Sequence, residues 1–249
     1  MVGLMAVTLF IKEFILVIKL WLVLIPTILI IFTRSKMMTK DEFKIMGIIE
    51  RSDWLRQNYS TLRKKPRNIN STNDADYNVS ITVDDGKIHC PIYRVWKGIV
   101  NRTTPIFQKA DPRYTGVTLD SRWISFMAFR AWFILRYKDG YKVDKDLISD
   151  SRVYGPDTCA LVPNWLNSFF GLTGSNLKGQ KKAGVWLVGH KFGAYCSSSE
   201  VWLGLHSTQR KAHFAWRKEK RRLAKLRKAE MDAIDLRIYP GILRILKSL

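Results

Sequence analysis

Two carboxylates separated by a single lysine are the residues of this chain best suited to metal chemistry. They are Asp144 and Asp146, with Lys145 between them. Carboxylate oxygens are hard ligands of the kind that Mg²⁺ prefers, so the two acids can hold a divalent ion. Lys145 is protonated near neutral pH unless it is desolvated, so it is a poor base by default. It could instead clamp a phosphate, or become a base if it is buried beside other cations. The segment therefore predicts either a divalent-metal site or an ordinary surface turn.

Other familiar catalytic patterns do not occur in the sequence. The four histidines form neither an HExxH pair nor a Ser-His-Asp order, and no GxxxxGK[ST] loop is found. The three cysteines have no CxxC or zinc-finger spacing, so we expect buried thiols in a reducing compartment. We therefore predict no nucleotide cofactor and no zinc or nucleophilic hydrolysis. The residues concerned are His89, His190, His206, His213, Cys90, Cys159 and Cys196.

The charge of the chain indicates an anionic partner. The sequence has 42 Lys and Arg against 21 Asp and Glu, a formal net charge of +21. Lys and Arg that neutralise phosphates release counterions, which gives a salt-sensitive and sequence-independent affinity for nucleic acid. An acidic membrane surface is the other natural partner. Between Thr208 and Lys228 the only acid is Glu219, and this excess of one sign favours a phosphate partner over a merely solvated helix face.

Hydrophobic spacing predicts an α+β fold. Strands are expected as a hairpin around Asp85-Gly86 and as three short strands within residues 184–206. The polar stretch from Lys64 to Asp76 is typical of a linker. Helices are expected at 38–63, 93–99, 123–137 and 208–228, the last with an apolar stripe formed by Ala212, Ala215, Trp216, Leu223 and Leu226.

The N-terminal segment has two interpretations. Residues 14–33 are almost entirely apolar and about long enough for one membrane-spanning helix, which needs about 20 residues. Arg34, Lys36 and Lys40 follow the segment, so the positive-inside bias would leave the body of the protein in the cytoplasm. Alternatively, the pair Met37-Met38 is the true start of translation, and residues 1–36 are then no part of the working protein.

The segments GVWLVGHKFGAYC and VWLGLHSTQRKAHFAW, at residues 184–196 and 201–216, carry a family resemblance. They resemble the Apetala-type DNA-binding domain, a three-stranded antiparallel sheet packed on one long helix. The resemblance implies that outward strand residues meet double-stranded DNA and that two lysines meet phosphates. Alternatively, Trp186 and Trp202 pack under the helix. The implied DNA-binding residues are Lys181, Lys182, Trp186, His190, Lys191, Tyr195 and Trp202.

Residues 142–170 resemble the ββα-metal finger of HNH nucleases, in which a hairpin is followed by a helix. The resemblance implies that Asp144 and Asn167 bind Mg²⁺ or another divalent metal. It places Lys145 where these enzymes carry the catalytic histidine, and Thr158-Cys159 where they carry Asn-Leu. A divalent ion would polarise the phosphodiester, but a lysine in the histidine position is by default a poor base for deprotonating the attacking water.

A wider resemblance covers residues from about Asn73 to Lys220. The motifs NDADY, CPIYRVWKGIVNR, WISFMAFRAW, VDKDL and YGPDTCALVP occur in this order and are similar to a group of tailed-phage HNH or homing-type endonucleases. That group often has an Apetala-type domain at its C-terminus, and lysine in the histidine position resembles its own pattern. The implied organisation is an HNH-like domain at 73–172 and an Apetala-type module at 178–230, after an apolar segment at 1–36 and a helix and linker at 37–72, and before a tail at 231–249.

The resemblance implies a DNA-binding protein of the host bacterial cytoplasm that nicks or cleaves phosphodiesters with a divalent metal. One alternative is a non-catalytic DNA-binding or DNA-organising phage protein, fixed to the inner face of the membrane if residues 14–33 insert. Another is a basic membrane-surface or phage-assembly protein, which needs the apolar segment and does not need DNA.

Overall fold

The computed structural model of the chain describes residues 38–61, 65–68, 71–170 and 182–249. The predicted membrane segment 14–33 and the predicted phosphate ligand Lys181 lie outside these ranges. Among the described helices, none is long and apolar enough to cross a membrane. The described chain is a mixed α+β fold with several small sheets, which confirms the α+β part of the prediction.

The helices and strands follow one another in short segments. The helices are α1 (Lys40–Ile45), α2 (Ile48–Asn58), α3 (Pro91–Arg102), α4 (Pro105–Ala110), α5 (Phe126–Ile134), α6 (Asn164–Asn167), α7 (Gln209–Leu226), α8 (Lys228–Asp232) and α9 (Ile238–Ser248). The strands are β1 (Lys65–Asn68), β2 (Ser71–Asn73), β3 (Ser80–Val83), β4 (Gly86–His89), β5 (Thr118–Leu119), β6 (Lys142–Asp144), β7 (Val153–Tyr154), β8 (Ala160–Val162), β9 (Val185–Val188), β10 (Lys191–Cys196) and β11 (Val201–His206).

The chain forms two compact units, and the smaller one contains residues 38–46 and 80–88 of the described chain. Its helix α1 begins with a capping box, in which the Thr39 hydroxyl accepts from the Glu42 amide and the Glu42 carboxylate accepts from the Thr39 amide. Strands β3 and β4 pair around Asp84 and Asp85, which confirms the predicted hairpin. The Asp85 carboxylate also accepts from the amide of Lys40, at 3.0 Å, and so joins the hairpin to α1.

Two predictions for residues 38–76 are wrong. The single helix expected at 38–63 is instead two helices, because Met46 and Gly47 are extended, with ψ of 151° and 159°. Glycine is costly inside a helix, so a break at Gly47 is physically reasonable. The stretch expected to be a linker contains β1 and β2, which pair antiparallel with Lys65 opposite Asn73. A strand ladder uses backbone groups, so a polar sequence can form one.

The larger unit, residues 47–79 and 89–249 within the described ranges, has an aromatic core between α3 and α5. Phe126 is fully buried and packs on Trp96, with ring centroids 5.6 Å apart. The Trp96 indole nitrogen donates to the carbonyl of Trp123 at 2.8 Å, so this buried polar group is satisfied. The aromatics expected at 123–137 are therefore mostly core residues, as their helical spacing predicts.

A second apolar core brings together parts of the chain that are far apart in sequence. It takes side chains from the loop after β6, from β8 and α6, from α7, and from α9. Three residues of α9 are completely buried in it, so the C-terminal segment packs on the body of the protein. The principal members of this Trp216 core are Leu147, Ile148, Val162, Leu166, Trp216, Leu223, Ile238, Ile242 and Leu246.

Helix α9 lies unusually close to the loop that follows Asp144. A Cβ atom added to Gly241 would lie 1.6 Å from the carbonyl oxygen of Leu147, well inside van der Waals contact. One turn further on, the Arg244 guanidinium donates to the carbonyl of Asp146 at 2.9 Å. Only glycine at position 241 permits this approach, so α9 supports the backbone of residues 146–147.

We predict that Gly241→Ala lowers the free energy of unfolding by about 1–3 kcal/mol, because overpacking a close contact forces backbone shifts of that cost. Urea unfolding of the full-length protein measures the change. The matched control is Gly98→Ala in α3, where an added Cβ meets nothing within 4 Å and alanine should be neutral or stabilising. Equal stability of the two variants would contradict the close packing of α9.

Candidate nucleic-acid interface and metal site

The three-stranded antiparallel sheet of β9, β10 and β11 has one covered and one open face. Val185 and Ala194 bury against Ala212 of α7, with Phe192 and Leu203 packed beside them. Successive side chains on a strand point to opposite faces, so the residues between these belong to the other face. Helix α7 therefore covers one face of the sheet.

The open face carries a cluster of three aromatic side chains. Trp186 lies 5.4 Å from Trp202 and 6.3 Å from Tyr195, measured between ring centroids. Trp186 is 39% exposed and Trp202 is 49% exposed. The alternative in which these tryptophans pack under the helix is therefore not what the structure has, since Trp216 of α7 is the buried tryptophan here. We call Trp186, Tyr195 and Trp202 the aromatic face.

The aromatic face depends on a glycine beneath it. Gly193 is paired across the sheet with Trp186, and an added Cβ would lie 2.7 Å from the Trp202 ring and 3.2 Å from the Trp186 ring. Any larger residue would push the two indoles outward. The sequence shows the glycine, but only the register of the strands shows that it lies beneath both rings.

The basic residues predicted to bind DNA around the sheet are exposed where the structure describes them. Lys191 begins β10 and His190 lies in the preceding turn, so both are at the β9–β10 end of the sheet. Lys182 is exposed just before β9. The structure thus brings Trp186, Tyr195 and Trp202 into one cluster, with His190 and Lys191 at the adjoining hairpin.

One cation of the basic helix has a structural place that the sequence did not reveal. Lys220 is 1% exposed, and its ammonium donates to the carbonyl of Phe169 and to the hydroxyl of Ser198. It also lies 4.5 Å above the Phe169 ring, and burial lowers its pKa. Lys220 is therefore committed to the fold and is not available to bind a phosphate.

The candidate cutting site lies on β6, β8 and α6. Strand β6 pairs antiparallel with β8, placing Asp144 opposite Ala160, and α6 follows two residues after β8. Oδ1 of Asp144 accepts from the amides of Asp146 and Leu147, both at 2.9 Å, and so closes the turn after β6. Burial nevertheless raises the pKa of this carboxyl above its ordinary value. Its second oxygen makes no hydrogen bond to the described chain.

Lys145 forms an ion pair with its neighbour Asp146 and lies 5.9 Å from the centre of the Tyr154 ring. Its side chain is only 12% exposed, whereas that of Asp146 is 69% exposed. The ammonium is therefore held as a paired cation at the edge of the turn. This arrangement suits a phosphate clamp better than a general base.

Asn167 is exposed at the last position of the one-turn helix α6, whose Leu166 anchors it in the Trp216 core. Thr158 and Cys159 lie in the loop between β7 and β8. The Thr158 hydroxyl donates to the carbonyl of Val153 at 2.6 Å. The Cys159 thiol is buried, and burial raises its pKa to about 12. As expected, all three cysteines are buried and free. Cys159 has no nucleophilic character in this state.

The residues present fit Mg²⁺ by donor type. Asp144 offers its second carboxylate oxygen and Asn167 an amide oxygen, and Mg²⁺ commonly takes one or two protein oxygens and keeps several waters. In the part of the chain that the structure describes, no group of three or more His, Cys, Asp or Glu side chains is placed to hold a metal.

Comparison of the chain with protein-family models, with curated proteins and with solved structures gives no match. The interpretation of these surfaces therefore depends on their own geometry and charge.

We predict that Asp144→Asn stabilises the protein near neutral pH. The amide keeps Oδ1, which accepts both backbone hydrogen bonds, and removes a charge that burial disfavours. A carboxyl with a raised folded-state pKa binds more protons when folded, so the wild type loses stability as the pH rises above the ordinary aspartate value of about 4. The advantage of the variant should be smallest below that pH and should grow above it.

Urea unfolding at several pH values measures this difference. The matched control is Asp150→Asn, which removes one negative charge from an exposed position in the same loop. An Asp144→Asn variant that is less stable than this control above about pH 5 would contradict the burial argument.

Proposed function

We propose that this protein binds double-stranded DNA through the aromatic face of its β9–β11 sheet. The observation that carries the proposal is the pair of exposed tryptophans, Trp186 and Trp202, beside the half-buried Tyr195 on the open face of a small sheet, with Lys191 at the adjoining hairpin. The major groove of DNA admits β-strands, and its base edges are distinguishable there. The net charge of +21 supplies the non-specific part of the affinity.

In this proposal the side chains have distinct roles. Trp186 and Trp202 make apolar contacts with base edges such as thymine methyl groups, and Tyr195 adds a hydroxyl. Lys191 and His190 approach base edges or phosphates from the hairpin. Lys181 and Lys182 neutralise phosphates and fix the orientation of the module. A three-stranded sheet covered by one helix is also the outline of the Apetala-type domain, which the sequence resembles.

A second proposed activity is metal-dependent nicking by the β6–β8–α6 segment. Strand β6, which Asp144 ends, pairs antiparallel with β8, and the helix that carries Asn167 follows β8. The connection between the two strands contains β7, which pairs with β5. The antiparallel pair followed by a helix favours an HNH-like finger. Asp144 and Asn167 would hold Mg²⁺ or another divalent metal, which would polarise the phosphodiester. Lys145, held by Asp146, would orient a phosphate. The non-catalytic alternative is a DNA-binding or DNA-organising phage protein that keeps this segment as scaffold.

We predict that Trp186→Ala and Trp202→Ala each weaken duplex binding by about 1–2 kcal/mol, because each removes a large exposed aromatic anchor. Lys191→Gln should weaken binding and reduce the slope of log affinity against log salt by about 0.9, the value for one lost phosphate contact. Fluorescence anisotropy of the full-length protein measures both effects, on a labelled duplex selected from a random-sequence pool.

The matched control for duplex binding is Leu135→Ala, since Leu135 is 81% exposed and lies outside the sheet. Circular dichroism confirms that each variant is folded. If the two tryptophan variants bind the duplex as tightly as Leu135→Ala does, the aromatic face is not the duplex site.

We predict that the full-length protein nicks supercoiled plasmid with Mg²⁺ or Mn²⁺. Asn167→Ala and Asp144→Asn should each reduce nicking by about 100-fold or more, because each removes one of two protein ligands. Asp144→Asn is preferable to alanine because it preserves the turn. Asp150→Asn, which removes an exposed acid from the same loop, should nick normally.

The nicking assay must include DNA from the genome that carries the gene. Binding without metal-dependent nicking on either substrate would reject the nuclease activity and favour the non-catalytic alternative. If nicking survives both ligand substitutions, the candidate metal site is not responsible for it, and another site or a contaminating nuclease cuts the plasmid.

A further inference from the structure

Helix α7 forms one wall of a basic groove of about 1050 Å³, whose lining also includes His206 at the end of β11 and Lys182 before β9. The groove is open to solvent and has no acidic residue in its lining. Five of its lining side chains are cations, and one is an exposed phenylalanine. We call it the α7 groove; it is lined by Lys182, His206, Thr208, Arg210, Lys211, His213, Phe214, Ala215, Arg217 and Lys218.

Within the residues that the structure describes, no carboxylate forms an ion pair with the cations of the α7 groove. Arg210, Arg217 and Lys218 form no ion pair with a carboxylate of the described chain, and the Nε–H of Arg217 is buried without a hydrogen-bond partner there. The only acid of α7, Glu219, is already paired with Arg222 at 2.8 Å. A groove with this charge is complementary to a polyanion.

Phe214 lies in the middle of this basic surface. It is 62% exposed, although a phenylalanine gains most by burial. Arg210 and Lys218 are one helical turn before and after it, so its ring is flanked by cations on the same side of the helix. Cations that track a backbone, with an aromatic ring between them, are the combination that binds single-stranded nucleic acid, because an unstacked base offers its π face to the ring.

We propose that the α7 groove binds a single strand of nucleic acid, with a base stacked on Phe214 and phosphates bound by Arg210, Arg217 and Lys218. A duplex hides its base faces and would use only the cations, so the exposed ring favours a single strand. The lining of the groove includes none of the three residues of the aromatic face, and Lys182 is the one described residue that both proposed sites share. This proposal depends on Phe214, Arg210, Arg217 and Lys218, so it does not require the proposed duplex binding.

The test measures anisotropy of labelled oligothymidylate and oligouridylate of about 20 nucleotides with the full-length protein. Phe214→Ala should weaken binding about fivefold to 100-fold, as expected for loss of one stacked base. Phe214→Leu should weaken it similarly, because leucine is apolar but has no π face. The double change Arg210→Gln and Lys218→Gln should reduce the salt slope by about 1.4, about 0.7 for each contact on a single strand.

The matched control is Leu226→Ala, which shortens a 71%-exposed apolar side chain of the same helix outside the groove. It should bind the single strand as the wild type does. Oligothymidylate affinity within twofold of wild type for Phe214→Ala would overturn the proposal, and so would full retention by Phe214→Leu. The oligouridylate arm distinguishes a DNA from an RNA strand. Duplex binding by Trp186→Ala and Trp202→Ala is measured in a separate experiment, which tests only the aromatic face.

Discussion

Burial of the Trp216 core is the interaction on which both candidate sites of the larger unit depend. It joins the loop after Asp144, the helix that carries Asn167, the long basic helix and the C-terminal helix α9. These parts are up to about 100 residues apart in sequence, and none of them buries a continuous apolar surface alone. Removing these apolar side chains from water stabilises the fold. Their packing also fixes the position of the Asp144 turn with respect to α7.

The same core explains how so basic a chain can fold. Repulsion among cations disfavours compaction, and a net charge of +21 needs a strong opposing term. Several arginines reduce the repulsion locally by pairing with nearby acids, as Arg237 does with Asp235 and Arg122 with both Asp120 and Asp157. On α7, cations such as Arg210 and Lys218 have no acidic partner among the residues that the structure describes. An anion bound there would therefore stabilise the folded state as well as occupy a site.

The sequence predicted local features better than the contacts between them. The α+β class and the hairpin at Asp85 follow from short-range patterns, which depend on neighbouring residues. The strands Lys65–Asn68 and Ser71–Asn73 cannot be deduced from the sequence pattern, because backbone pairing leaves little trace in polarity. The break at Gly47 interrupts a stretch whose apolar spacing alone indicates one helix. Leu226 belongs to the predicted apolar stripe of α7 but is 71% exposed. The helical spacing shows on which side of the helix a residue lies, but it does not show how far along the helix the packed surface extends.

In the candidate sites, too, the sequence identifies residue types better than it identifies contacts. Asp144 and Asn167 could be picked out by their residue types and by a resemblance, but the resemblance does not reveal that Asp144 also closes a turn. In the sequence Lys220 is one of many cations between Thr208 and Lys228, whereas in the structure the backbone carbonyl of Phe169 holds it inside the protein. Which sheet face α7 covers could not be deduced from alternation, because both faces contain apolar residues. Phe214 and Gly241 were missed because exposure and close approach are properties of the folded chain.

The two proposed nucleic-acid surfaces lie on one thin module of sheet and helix. A sheet and a helix in contact are about 10 Å apart, so a duplex on the aromatic face and a single strand in the α7 groove would be separated by little more than that layer. Such an arrangement suits DNA that is locally opened, because paired and unpaired parts of one molecule can be held together. Since the Trp216 core also joins α7 to the turn of Asp144, a strand held in the groove would have a fixed relation to the candidate cutting site. Both proposed surfaces and the candidate cutting site therefore belong to one compact unit, in which the Trp216 core fixes α7 with respect to the turn of Asp144.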